Sequence, residues 1–172
     1  MMRGMTLVTA LALVTLSFAG VSMADQAVKP DAHGFIAAQP EDLAAQHGIR
    51  TVILGDPSKP GLYIVRLTFA PGQGSRPHYH DQARYITVIK GTWWVSLGPD
   101  ADVYDPAKTQ PMKPGSFLYE PAFGHHYDMA KDEPVTVQIM GMGPVKTIPL
   151  GPGGLEAGPK TGSGSQGATS GR

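Results

Sequence analysis

What most constrains this chain is the spacing of its punctuation. Short runs rich in β-branched and aromatic residues recur at 62–69, 85–89, 92–97, 116–119, 135–140 and 145–150, and Gly or Pro interrupts the chain between them. The run Leu62 to Phe69 follows the turn-forming stretch Asp56-Pro57-Ser58-Lys59-Pro60-Gly61 and places Tyr63, Val65, Leu67 and Phe69 on one face of a strand. Parallel pairing would need long crossovers between strands, and no helical pattern long enough to supply them intervenes. The strands must therefore pair antiparallel, as a sandwich or a small barrel, and the fold class is all-β. The 22 Gly and 16 Pro suit such a fold better than a helical bundle. Only Pro40 to His47 reads as helix, with Pro40 in the first turn and Gly48 as the stop, and it is expected to be short, N-terminal and peripheral.

At 172 residues the chain is expected to hold one ordinary domain. Its 14 Lys and Arg balance 14 Asp and Glu, without a basic run, which argues against nucleic acid as a partner. The absence of cysteine excludes thiol catalysis, thiolate-ligated metals and disulfides. Metal chemistry falls to His, Asp and Glu.

The two ends read differently from the middle. Residues 1–24 carry Arg3, then the apolar run Leu7 to Leu16, then the small residues Ser22 and Ala24, which is the pattern of a secretory signal peptide cut before Asp25. The apolar run falls short of the about 20 residues a membrane span requires, so a stable membrane anchor is not expected. The mature protein is expected to be periplasmic or secreted. Residues 151–172 are dominated by Gly, Ser, Pro, Thr and Ala, with Leu155 the one sizeable apolar side chain, and read as a disordered tail. The domain proper is expected within 25–150, ordered from about residue 33.

Four of the six histidines fall in two pairs. His78 and His80, at i and i+2, share one face of a strand, so their rings can converge on one ion. Of the adjacent His125 and His126 only one can face the same interior. His33 and His47 read as ordinary polar residues, and of Trp93 and Trp94 one is expected in the core and one outside it.

These residues sit in a longer pattern. Gly72, five residues, His78-Tyr79-His80, three residues, Arg84, six residues and Gly91 follow in order, and Gly115, five residues, Pro121-Ala122-Phe123-Gly124-His125-His126, three residues and Ala130 come later. The sequence from about 61 to 150 resembles the cupin superfamily, in particular small single-domain bacterial cupins. It departs from the family's two motifs at three points: Arg84 stands where the first motif has Glu, Ala130 stands where the second has Asn, and the glycine at 124 is displaced by one. The resemblance implies a double-stranded β-helix, a jelly-roll barrel with a pocket in one end. It also implies a divalent metal, Fe, Mn or Zn among the candidates, held by His78, His80 and His126.

Arg84 leaves two readings open. A guanidinium is charged at all practical pH and cannot ligate a cation. Either it turns to pair with Asp81 or another carboxylate and leaves a three-His metal, or it points inward and makes a metal-free anion site. Glu120 and Asp128 are the nearby carboxylates that could replace the missing one, and Gln138 is a candidate to place an amide in the pocket. Two functions follow. One is a metal-dependent enzyme acting on a small organic, anionic molecule by oxygenase, isomerase or lyase chemistry, with Arg84 and Gln138 contacting substrate. The other is a metal-free module that binds a small molecule or anion without turnover. A homodimer is expected by resemblance.

Overall fold

The computed structural model describes residues 27–44 and 49–151. The predicted leader 1–24, the last residues of the predicted helix and the predicted tail beyond 151 lie outside them. No helix among the described residues is long and apolar enough to cross a membrane.

Among the described residues ten strands form two five-stranded sheets: β1 (Arg50–Leu54), β2 (Gly61–Phe69), β3 (His78–His80), β4 (Arg84–Lys90), β5 (Trp93–Leu97), β6 (Gln110–Met112), β7 (Phe117–Glu120), β8 (His126–Ala130), β9 (Val135–Gly143) and β10 (Thr147–Pro149). The orders are β1-β2-β9-β4-β7 and β10-β3-β8-β5-β6, and every pairing is antiparallel. Strands β2 to β9 are thus dealt to the two sheets so that 2-9-4-7 faces 3-8-5-6, the strand order of a jelly roll. The expected double-stranded β-helix is present.

Period-two alternation decides what each strand buries. Val65 and Phe69 of β2, Ile86 and Val88 of β4, Trp93 and Val95 of β5, and Val135, Val137 and Ile139 of β9 meet between the sheets as one apolar core. Trp93 is in this core, while Trp94 points to the other side of its sheet, where the Lys131 ammonium lies 3.8 Å from its ring centroid. That outer side also buries Tyr127 beneath the 3₁₀ turn Gly98–Ala101 and the segment after it, and the Tyr127 hydroxyl donates to the Asp105 carbonyl at 2.6 Å. The β4–β5 turn requires glycine at 91: φ is +72°, and an added Cβ would lie 2.2 Å from the Pro134 carbonyl oxygen.

The predicted helix is not formed where it is described. Residues 40–44 make successive i+3 turns, with the Asp42 carboxylate accepting from the Gln39 N–H. A side chain that captures a backbone donor in this way competes with helical hydrogen bonding.

Candidate metal centre

At one end of the barrel the inward-facing residues change from aliphatic to polar. On the first sheet, β2, β9, β4 and β7 align Tyr63, Gly141, Arg84 and Glu120 in one cross-strand row. On the second, His78 of β3 pairs in register with His126 of β8, and His80 follows two residues on. The two rows face each other across the barrel, and His78, His80, Glu120 and His126 are all buried.

The ligand-capable atoms of His78, His80 and His126 lie within 4.8 Å of one another. Each ring is oriented by its other nitrogen. Nδ1 of His78 faces the Arg76 carbonyl at 2.7 Å, Nδ1 of His80 faces the Lys146 carbonyl at 3.2 Å, and Nδ1 of His126 faces the Gly124 carbonyl at 2.9 Å. A carbonyl only accepts, so each Nδ1 carries the proton, an assignment made from these partners, and each Nε2 presents a lone pair. The Nε2 atoms of His78 and His80 then stand 3.2 Å apart with no proton between them. Burial holds the rings neutral: it lowers the pKa of His78 and of His126 to about 4 and, with the Arg84 charge adding to it, that of His80 to about 2. Neutral imidazoles whose second nitrogen is tied to the backbone are the form in which histidine binds a metal, so the residues present fit a divalent ion.

Arg84 points inward, and its charge is answered there. Its Nε and Nη2 both lie 2.6 Å from Oε2 of Glu120, and Nη2 is 3.4 Å from Nε2 of His126. Asp81, the other partner considered, instead accepts from the Lys146 N–H near the surface. The remaining oxygen of Glu120, Oε1, is buried without a hydrogen-bond partner and lies 3.1 Å from Nε2 of His126. Asp128 faces inward too, but both its oxygens are used, Oδ2 by the indole N–H of Trp93 at 2.9 Å and Oδ1 by the Ser75 hydroxyl. Of the two candidate carboxylates, only Glu120 has an oxygen to spare.

The placement of Gln138 must be corrected. It lies on the outer face of β9, between inward-facing Val137 and Ile139, and its Oε1 accepts from Nε of Arg66 at 3.1 Å. Strand parity takes it away from the histidines. His125 also points away from the interior, to Asp102 with Nδ1 at 2.6 Å from the carboxylate, so His126 is the inward member of its pair. His33 lies at the surface, and His47 is outside the described residues.

Sequence reasoning missed Tyr63 and Gly141. Tyr63 is buried in the polar row, where burial raises the pKa of its phenol and keeps it protonated. Gly141 makes room for that ring, since an added Cβ would lie 2.7 Å from the phenolic oxygen. The alternation of β2 already put Tyr63 on the inner face, but only the register with β9 shows which end of the barrel it occupies.

The 2-9-4-7 and 3-8-5-6 strand deal, with both His motifs meeting inside one end, decides the architecture. The fold is that of the cupins. No protein-family model matches the sequence, and no curated protein does. Several solved structures are similar to it. A cupin-2 domain protein from Rhodospirillum rubrum is 17% identical, with 59% of this chain and 64% of that one covered and a TM-score of 0.48. A cupin 2 conserved barrel protein from Leptotrichia buccalis is 20% identical, over 63% of this chain and 48% of that one, at a TM-score of 0.49. A Streptococcus pyogenes protein of unknown function is 15% identical, over 68% and 94%, also at 0.49. The chain thus spans less than two thirds of the length of the Rhodospirillum rubrum protein.

Proposed function

We propose that this cupin binds a divalent metal through His78, His80 and His126 and acts on a small anionic organic molecule, after export directed by residues 1–24 and cleavage before Asp25. The observation that carries the reading is the convergence of Nε2 lone pairs, two of them 3.2 Å apart, on rings whose Nδ1 atoms face backbone carbonyls. Two buried lone pairs at that distance repel, and a cation between them turns the repulsion into attraction. A proton would do the same, but burial keeps these rings unprotonated at neutral pH.

The anionic preference follows from charge. The three histidines are neutral and Arg84 and Glu120 cancel, so a bound dication would leave the buried site net positive, near +1 when the inward-facing Asp128 is counted. A metal held by three nitrogens supplies a Lewis acid or a site for dioxygen, with Fe, Mn and Zn the candidate ions. The chain's own groups would bind and orient. Arg84 keeps guanidinium N–H groups beyond those engaged by Glu120 and can hold a carboxylate or similar anion. Tyr63, protonated, offers a hydroxyl donor from the same row. Val65, Ile86 and Ile139 form the next cross-strand row inward, so the polar row rests directly on the apolar core. Oxygenase, isomerase and lyase chemistry all fit such a site.

The metal-free anion module has weaker support, because the charge on which it depends is already paired with Glu120. The reading is tested by titrating Co(II) into chelator-treated protein and following its visible absorption. A ligand-field band that saturates at one equivalent and is lost in His126→Ala is expected. No band in the native protein, with small carboxylates still binding, would favour the metal-free module instead.

A further inference from the structure

We propose that Glu120 is the carboxylate ligand of this centre, delivered from β7, and that Arg84 is the residue that positions it. The inference rests on the three-His reading and concerns how the site is completed.

Arg84 and Glu120 face each other in register on adjacent strands, so a carboxylate stands directly across from the position where the first motif has its acidic residue. This placement keeps a carboxylate at the centre with its backbone one strand over. Its two oxygens have separate tasks. Oε2 takes both Nε–H and an Nη2–H of Arg84 at 2.6 Å, which fixes the plane of the group. Oε1 has no hydrogen-bond partner in a residue that is 3% exposed, a costly state for an anionic oxygen unless a cation meets it.

The spacing fits. Two donors each about 2.1 Å from one ion lie about 3.0 to 3.4 Å apart, from right-angle to tetrahedral geometry. The His78–His80 Nε2 separation is 3.2 Å and the His126 Nε2 to Glu120 Oε1 separation is 3.1 Å. A hydrogen bond does not account for the second, because the Nδ1 of His126 holds the proton and its Nε2 has none to give. The same pair distance thus occurs twice, between His78 and His80 and between His126 and Glu120, so Glu120 adjoins the three-His group from its His126 side. Arg84 binds the far oxygen of Glu120, and its Nη2 contact to Nε2 of His126 at 3.4 Å is the one that a cation taking that lone pair would displace.

The alternative is that Glu120 only neutralises Arg84. Affinity for Co(II) and Zn(II), measured by chelator competition on Glu120→Gln, Arg84→Gln and the double variant, separates the two, with folding checked by circular dichroism. If Glu120 is a ligand, Glu120→Gln weakens binding more than about 100-fold, beyond the 10- to 100-fold typical of outer-sphere partners. The double variant stays as weak, and the Co(II) band changes in position and intensity in both. Arg84→Gln, which keeps the carboxylate but removes what orients it, weakens binding by no more than the 10- to 100-fold of an outer-sphere partner. Should Glu120→Gln leave Arg84 unpaired and fail to fold, the double variant, which buries no lone charge, carries the test. Native affinity in the double variant, or in a folded Glu120→Gln, overturns the proposal while the three-His site stands. Absence of metal from the native protein overturns both, and His80→Ala, which must lose the metal if the three-His reading holds, tells the cases apart.

Discussion

The metal-free protein should be unusually sensitive to mild acid, and the size of the effect follows from the three histidines. In the unfolded chain each titrates near 6.5. In the folded barrel burial lowers His78 and His126 to about 4 and His80 to about 2. Above pH 6.5 neither state is protonated and stability does not change. As pH falls below 6.5 the unfolded chain takes up protons that the native one refuses, so stability drops. The loss from His78 and His126 levels off near pH 4, where the native rings protonate as well, while that from His80 continues toward pH 2. Between pH 6.5 and 4 each ring contributes a loss of about 3 kcal/mol, at about 1.4 kcal/mol per pH unit. Even half of the combined loss from three rings approaches the 5–15 kcal/mol that holds a domain of this size together. Chelator-treated protein, unfolded by urea at half-unit steps from pH 7.5 to 4.5, should lose stability from pH 6.5 downward, and His80→Gln should flatten the slope by about a third. Metal-loaded protein should resist until the pH at which protons displace the ion. A metal-free stability that stays constant from pH 7 to 4.5 would refute the reasoning, since the rings would then be hydrated or protonated and unfit to hold a metal.

Further outcomes follow from single contacts. His80→Ala should abolish metal binding yet keep the native circular dichroism, because the apolar core lies away from it; metal retained at one equivalent would remove His80 from the ligand set. Arg84→Glu should place a second carboxylate opposite Glu120, lowering the melting temperature of the metal-free protein and raising metal affinity; unchanged values for both would mean that residue 84 does not face the site. Gly91→Ala should cost more than about 2 kcal/mol in urea unfolding, because it combines a left-handed φ with a Cβ 2.2 Å from a backbone oxygen. Gly72→Ala, at φ +79° with open space around the Cβ, should cost about 1 kcal/mol; equal costs at the two glycines would contradict the steric account. Trp93→Phe should cost about 1–3 kcal/mol by leaving Oδ2 of Asp128 without its donor, read from the same unfolding curves.

The sequence made much of the barrel legible because alternation and Gly or Pro breaks are local signals. β2, β4, β5 and β7 fall within a residue or two of their expected bounds. β6 was not visible: its Gln-Pro-Met carries a proline, which is tolerated because the strand lies at the edge of its sheet. β8 was obscure for the opposite reason. His126 to Ala130 is buried on both faces, polar inward at the site and packed outward beneath the 98–109 segment, so it lacks an apolar and polar alternation. β9 continues through Gly141, Met142 and Gly143, which propensity reads as a stop, because β2 pairs with all three. The histidine triad was legible from i, i+2 spacing and the family resemblance. The parity of Gln138 was not, since an exposed Met140 two residues on invites the wrong inner face. That outer face carries Tyr119, Tyr85, Met140 and Ile64 in one cross-strand row, with the two tyrosine rings 5.5 Å apart, so an apolar side chain on β9 does not mark the core. The Arg84–Glu120 pairing required the β4–β7 register, which no local signal provides.

The central claim is that three neutral histidines at one end of the barrel hold a divalent metal. Elemental analysis by plasma mass spectrometry, on untagged protein spanning residues 25–172 and purified without chelator beside its His78→Ala variant, tests it most directly. About one first-row metal per chain in the native protein and none in the variant is the predicted result. The same metal content in both, or none in the native protein after reconstitution with Fe(II), Mn(II) and Zn(II), would contradict it.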